Sequence, residues 1–488
     1  MVSSKGRKTL PLQLQWRLNT VLVLFVLFCL ASSSAFAAYH AVTPSGAGAK
    51  TGADWNNSYA GLPATLTRGD VYCLADGSYG KYTFTTAASG TTTIEVRKAQ
   101  ASVSDGCTAL AGWNGSTMGS SQAVFSNGNG TLNINAPYFI LNGNGTSTSA
   151  GCGGGPGATV TSNPPTPSDC GIKIDNSGCT SGCYAPIGAG QPNLTISYVE
   201  IVGDSTVSAD DDMEVFSPGG TGPTTWTHIY GHNAGCVYFQ DGLANWTVSK
   251  SYFWGTEVKG VLSDGCHGQF SFDDGADSNS SVSTSVFRDI TGTAIWTFAN
   301  ASTTHNNWAF YDNVIWFSSP AASWSPFLSD GILACINSGT NCTNFVLYQN
   351  TIINPSASTA TGINNENTGS YIVHNNLWYD VPGGVAFNVG TGGTYTQSYN
   401  SFLNATASCR SGTSNVCDNS ASNPFTNWTA GVFTLASDAS DWNNRTLLSS
   451  PYNTDAAGNT FTTYRGAYQY DAQVPPPSPP TGLAAVVK

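Results

Sequence analysis

One pattern recurs along residues 193–404 and constrains the fold more than any other feature. NWAFYDNVIWF (307–317), NFVLYQNTIIN (344–354), SYIVHNNLWYD (370–380) and TYTQSYNSFLN (394–404) each read as a short alternating strand, an Asn and a second apolar stretch. Looser copies are NLTISYVEIVG (193–203), TWTHIYGHNAG (225–235), NWTVSKSYFWG (245–255) and SVSTSVFRDIT, which ends at Thr291. Alternation over four to eight residues is a strand signal, and no helical period competes with it. Alignment puts Val199, Gly231, Ser251, Ser285, Asn313, Asn350, Asn376 and Asn400 in register. Their mean spacing, (400−199)/7 or about 29 residues, is a solenoid repeat length.

A further strand follows each copy, as in DMEVFSPG (212–219), GCVYFQDG (235–242), GQFSFDDG (268–275), TAIWTFAN (293–300), GILACINSG (331–339), GINNENTG (362–369) and GVAFNVGTG (384–392). Stacked parallel coils account for all of this: inward side chains stack on their counterparts, and the turn Asn forms a ladder of amide hydrogen bonds. With rungs about 4.8 Å apart, seven intervals span roughly 34 Å. The expectation is an all-β, right-handed parallel β-helix. Residues 40–140 supply its first coils, and 145–192 (GCGGGPG, NPPTPSDC) form a Gly/Pro-rich, disulfide-stapled loop insertion.

The ends fix a compartment. Lys5, Arg7, Lys8 and Arg17 precede the 11-residue apolar run VLVLFVLFCLA and then Ala35-Phe36-Ala37, the order of a secretory signal over residues 1–37. No membrane span is expected after its removal. Loss of four positive charges takes the formal net charge from −12 to −16, and an acidic chain lacking a basic patch is no nucleic-acid binder. Residues 38–472 are then the β-helix and 473–488 a Pro-rich linker, beyond which another module could begin. Of 13 cysteines, all but Cys29 remain, so disulfides are expected. Proximity pairs Cys73 with Cys107, Cys152 with Cys170, Cys179 with Cys183, Cys236 with Cys266, Cys335 with Cys342 and Cys409 with Cys417.

The opening TPSGAGAKTGADWNNSYAGLPATLTRGDVYCLADGSYGKYTF, the Asn-turn rungs and the closing SSPYN…RGAYQY before PPPSPPTGL resemble bacterial secreted right-handed parallel β-helix repeat proteins. The resemblance covers nearly all of the mature chain. It implies the architecture shared by pectate-lyase-like polysaccharide lyases and pectin hydrolases, and by analogy a carbohydrate partner for a monomeric protein.

Candidate chemistry concentrates between Glu200 and Asp289, which hold 13 of the 29 acids. The repeat places Glu214, Asp241 and Asp273 at equivalent strand ends on three successive rungs. Carboxylates about 5 Å apart raise one another's pKa or bind a hard cation, and such pairs act in glycoside hydrolysis. The alternative is that Asp-Gly steps mark turns. His267 is a candidate base with Asp273 or Asp264 holding its tautomer, and relatives of this kind carry a His followed by an Asp-Asp-Gly-x-Asp stretch, which adds Asp274 and Asp277. Asp210, Asp211 and Asp212 resemble the acidic rung of calcium-dependent β-helix lyases, implying Ca²⁺, with a solvated loop as the alternative. A lyase also needs a base, for which Lys250, Lys259 and Arg288 are available. Trp226, Trp246, Trp254, Trp296, Trp308, Trp316 and Trp324 are sugar-stacking platforms or, at repeat positions, core. The rival to a carbohydrate-active protein is a non-catalytic adhesive rod.

Overall fold

A computed structural model describes residues 37–126, 131–146, 151–152, 170–177, 187–188, 190–203, 214–217, 223–234, 237–240, 244–256, 269–273, 275, 277–290, 292, 294–299, 301–317, 331–355, 362–405, 412–461 and 463–469. The chain divides into two compact units, Met1–Ala38 and Tyr39–Lys488. Every element below belongs to the second.

Each coil contributes one strand to each of three parallel sheets, named A, B and C in chain order. They contain 13, 12 and 10 strands among the described residues. Apart from Tyr59–Ala60, which pairs on the outer side of Tyr39–Thr43, strand order within a sheet follows chain order from coil to coil, which is the topology of a parallel β-helix. The aligned repeat supplies sheets A and B, as in Asn341–Tyr348 followed by Thr351–Ile353. The strands after it form sheet C, for example Leu333–Cys335. Among the described residues the one α-helical turn, Gly115–Met118, lies outside this framework, and no described helix is long and apolar enough to cross a membrane.

The A-to-B corner explains the repeat. At each one a residue adopts a left-handed backbone: Tyr198, His228, Lys250, Thr284, Asp312, Gln349, Asn375 and Tyr399, all with φ between 48° and 60°. The next side chain points into the coil. Asn313, Asn350, Asn376 and Asn400 form the expected amide ladder, each Nδ2 donating to the Oδ1 of the next Asn at 3.0–3.1 Å along the first three steps. Ser251 and Ser285 continue it with hydroxyls. One rung departs from the aligned register. Glu200 pairs with Tyr230, so Ile229, not Gly231, stands over Val199. The glycine resembled a turn residue, but His228 takes the positive φ and Gly231 lies inside the strand Tyr230–Ala234.

A second correction concerns 145–192. This stretch contains the sheet B strand Ile172–Asp175 and the sheet C strand Ile187–Gly188, paired to the coils on both sides. It therefore supplies strands to the coil instead of being only an insertion; its Gly, Pro and Cys content hid the alternation in IKID. Cys73–Cys107, Cys152–Cys170 and Cys335–Cys342 are disulfide-bonded as expected. The other proposed pairs involve residues outside the described set.

Inward aromatic residues fill the coil, with Phe253 stacked on Phe287 and Trp378 on Phe402. Trp226, Trp246, Trp296, Trp308 and Trp316 are all buried, whereas Trp254 is half-exposed; Trp324 lies outside the described residues. The outer face of sheet B is partly covered too. Trp316, Ile353, Tyr379 and Leu403 pack under Phe425, Phe433, Trp442 and Tyr468 from the C-terminal segment. The RGAYQY motif locks that segment down. Buried Arg465 donates to the carbonyls of Asn400, Ser414 and Asn444. Gly466, at φ 87°, packs where a Cβ would stand 2.7 Å from Thr351 Oγ1.

Candidate functional site

The C-terminal cover reaches Trp316 on sheet B, and the Cys152–Cys170 staple packs against Tyr230 and Tyr252 lower on the same face. Alongside and below that staple, register brings together polar side chains from five coils. Strand pairing sets Lys173 beside Glu200, Asp175 beside Val202, Val202 beside His232, His232 beside Trp254, and Trp254 beside Arg288. These positions alternate with the inward Ile174, Ile201, Phe253 and Phe287, so their side chains face outward by strand geometry.

Glu200 is the hub. It is almost buried, yet its carboxylate receives Gln122 Nε2 at 2.7 Å and His232 Nε2 at 3.0 Å. Lys173 Nζ stands 3.8 Å away and pairs with Asp175 at 3.0 Å. Burial alone raises the Glu200 pKa, but the bonds from His232 and Gln122 and the charge of Lys173 together hold it below the ordinary value. With Nε2–H directed to Glu200, His232 keeps its lone pair on Nδ1, an assignment that follows from the hydrogen bond. Nδ1 is itself buried and has no hydrogen-bond partner. The His232 ring lies 4.7 Å from that of Tyr230 and 6.4 Å from Trp254. Arg288 is buried, its guanidinium 4.6 Å from the Trp316 ring and 5.8 Å from Trp254, and its Nε donates to Asp289 at 3.1 Å. A carboxylate-held imidazole, two cations and a half-exposed indole on one ridge can bind a ring with hydroxyl or carboxylate substituents and move a proton.

The expected residues fall elsewhere. Asp273 is wholly buried inside the coil, in register with Phe298, and so does not line an outer groove. Glu214 begins its strand and pairs with Val237, whereas Asp273 ends its strand; the two do not occupy equivalent strand ends. His267, Asp274, Asp241, Lys259, Asp210, Asp211 and Asp212 lie outside the described residues. The segments carrying Asp210–Asp212 and Lys259–His267 follow directly on the sheet B strands Val199–Val202 and Tyr252–Thr256. Among the described residues, Asp273, Asp277 and His305 alone form a group of three or more with metal-capable atoms close together. Calcium takes six to eight oxygens, which two carboxylates and an imidazole do not supply.

Sequence reasoning had noted Arg288 as a base and Trp254 as a platform, but not Gln122, Lys173 or His232.

Neither a protein-family model nor a curated protein matches the sequence. Among solved structures, pectate lyase Pel9A is similar at 12% identity and TM-score 0.45, over 90% of this chain and 98% of that one. The PL6 family alginate lyase AlyGC matches at 12% identity and TM-score 0.41, over 73% of this chain and 48% of its own. The GH136 lacto-N-biosidase from Eubacterium ramulus matches at 10% and 0.39, over 74% and 67%. The fold assignment stands on the strand pairing of this chain itself.

Proposed function

We propose that this is a secreted, carbohydrate-active β-helix protein that binds an extracellular polysaccharide across the outer face of sheet B around Trp254 and cleaves it. The observation that supports this is the run of Glu200, His232, Trp254 and Arg288 on the outer face of sheet B, in which His232 and Trp254 keep partial exposure above the buried Glu200 and Arg288. Trp254 offers a face for a sugar ring, and Arg288 lends positive charge suited to an acidic sugar. His232, oriented by Glu200, acts as the general base, which requires saccharide binding to uncover its Nδ1, buried in the free protein. Asp210–Asp212, Lys259 and His267, on segments that leave the same strands, contribute the remaining polar groups, including a Ca²⁺ site at the three aspartates. Asp241, Asp274 and Glu214 remain candidates for the sheet C side, and three disulfides suit an exported chain.

The test is incubation with a panel of uronate-containing and neutral polysaccharides, with and without calcium. Unsaturated-product absorbance marks a lyase; new reducing ends without it mark a hydrolase. His232→Ala should lose activity about 100-fold or more, the scale of a general base, and Glu200→Gln should shift the pH profile. Full activity in His232→Ala would refute the assigned base. No binding or cleavage of any polysaccharide would favour the rod.

A further inference from the structure

The corner where sheet C turns into sheet A holds another cluster, inside the coil. Asp273 closes the strand Ser271–Asp273, and Asp277 immediately precedes Ser278–Ser283. His305 belongs to the next coil and stands over Asp277, because Ser278 pairs with Asn306. The three side chains are 0%, 2% and 0% exposed respectively. One ligand-capable atom from each lies within 4.8 Å of the others.

Asp273 Oδ1 accepts from Gly275 N at 2.9 Å. Its Oδ2 faces His305 Nδ1 at 3.7 Å, beyond hydrogen-bond distance. Neither that oxygen nor either imidazole nitrogen has a hydrogen-bond partner. Phe298 packs 5.0 Å from the His305 ring, so the surroundings are apolar. Buried polar groups in such a setting are normally satisfied, and each one left unmet costs about 1–3 kcal/mol.

We propose that this corner binds one divalent first-row transition ion, of the zinc or manganese type, through Asp273, Asp277 and His305. Two carboxylates neutralise the dication, and the imidazole selects a transition ion over calcium. Donors at about 2.1 Å from a tetrahedral ion stand about 3.4 Å apart, so side-chain shifts of about an ångström close the site. The next coil repeats the arrangement covalently. Cys335 pairs with Phe298, Cys342 pairs with His305, and the two cysteines are disulfide-bonded. One corner is thus cross-braced in successive coils, first by an ion and then by a disulfide. This brace is independent of the saccharide reading.

Elemental analysis of the full chain, purified without chelator or a histidine tag, should find about one transition-metal equivalent. His305→Gln and Asp277→Asn should lose it. Should these variants fail to fold, wild-type protein can be stripped by chelator. Its Tm should fall and recover with ZnCl₂ but not with CaCl₂, and CoCl₂ should produce visible ligand-field absorption. Natively folded wild type that carries no transition metal and takes up no cobalt overturns the site. Metal retained by both variants, or a Tm indifferent to stripping, does so equally.

Discussion

Asn350 offers the sharpest test of what holds the coil together. Its side chain is 1% exposed. Oδ1 accepts from Asn313 N and Nδ2, both at 3.1 Å, while Nδ2 donates to Phe310 O at 2.9 Å and Asn376 Oδ1 at 3.0 Å. Asn350→Ala therefore leaves the buried Asn313 N–H without its acceptor and removes a donor from the Phe310 carbonyl. At about 1–3 kcal/mol for each unmet group, the expected loss is about 4 kcal/mol. The control is Asn388→Ala, which removes a second amide–amide contact, Asn388 Nδ2 to Asn364 Oδ1 at 3.1 Å, from an exposed position. That substitution should cost no more than about 0.5 kcal/mol. Urea unfolding followed by tryptophan fluorescence measures both, provided the m-values agree. Equal losses in the two variants, or a loss below about 1 kcal/mol for Asn350→Ala, would refute the ladder as a stabilising device.

Two further outcomes follow from the same structure. Burial, reinforced by Lys250, pushes the His228 pKa from 6.5 down to about 4. Between those values the unfolded chain binds the proton and the folded chain does not, so stability falls as pH drops from 6.5 towards 4, by about 3 kcal/mol in all. His228→Asn, which tolerates the positive φ, should flatten the pH dependence of Tm across that window; an unchanged slope would contradict the assignment. Removing Cys73–Cys107, with a sequence separation of 34, should cost about 4 kcal/mol, and removing Cys335–Cys342, with a separation of 7, about 2.5 kcal/mol on loop closure alone. Paired Cys→Ser variants in denaturant test that order, and a reversed order would show that packing at the Cys335 corner outweighs chain entropy.

The coil was legible in sequence because its signals are local. An alternating strand, a turn residue and an Asn fit within 11 residues, and the ladder bonds follow once copies are stacked. Where the marker changed, the reading slipped: at Ile229 the turn carries His228 instead of a recognisable Asn, and Gly231 drew the alignment two residues away. Ile172–Asp175 was lost because two Ile residues and two charges carry little weight among glycines and prolines. The sheet B ridge was not legible for a different reason. Gln122 and Glu200 are 78 residues apart, and His232 and Glu200 are 32 apart; alone, Glu200 and His232 are ordinary outward strand residues and Gln122 an ordinary residue before the strand Ala123–Ser126. Only register makes them neighbours. Asp273 illustrates the converse, since it ends its strand as the repeat places it, yet the pleat turns its side chain into the core beside Phe298 of the next coil.

The most direct measurement of the central claim is a crystal structure of the protein soaked with oligosaccharides from whichever polysaccharide it binds. The expected result is a sugar ring against Trp254, with hydroxyl or carboxylate groups within hydrogen-bond reach of His232 and the Lys173–Glu200 pair. A saccharide bound to sheet A, to sheet C or to the C-terminal cover, with the His232–Trp254 ridge bare, would contradict it.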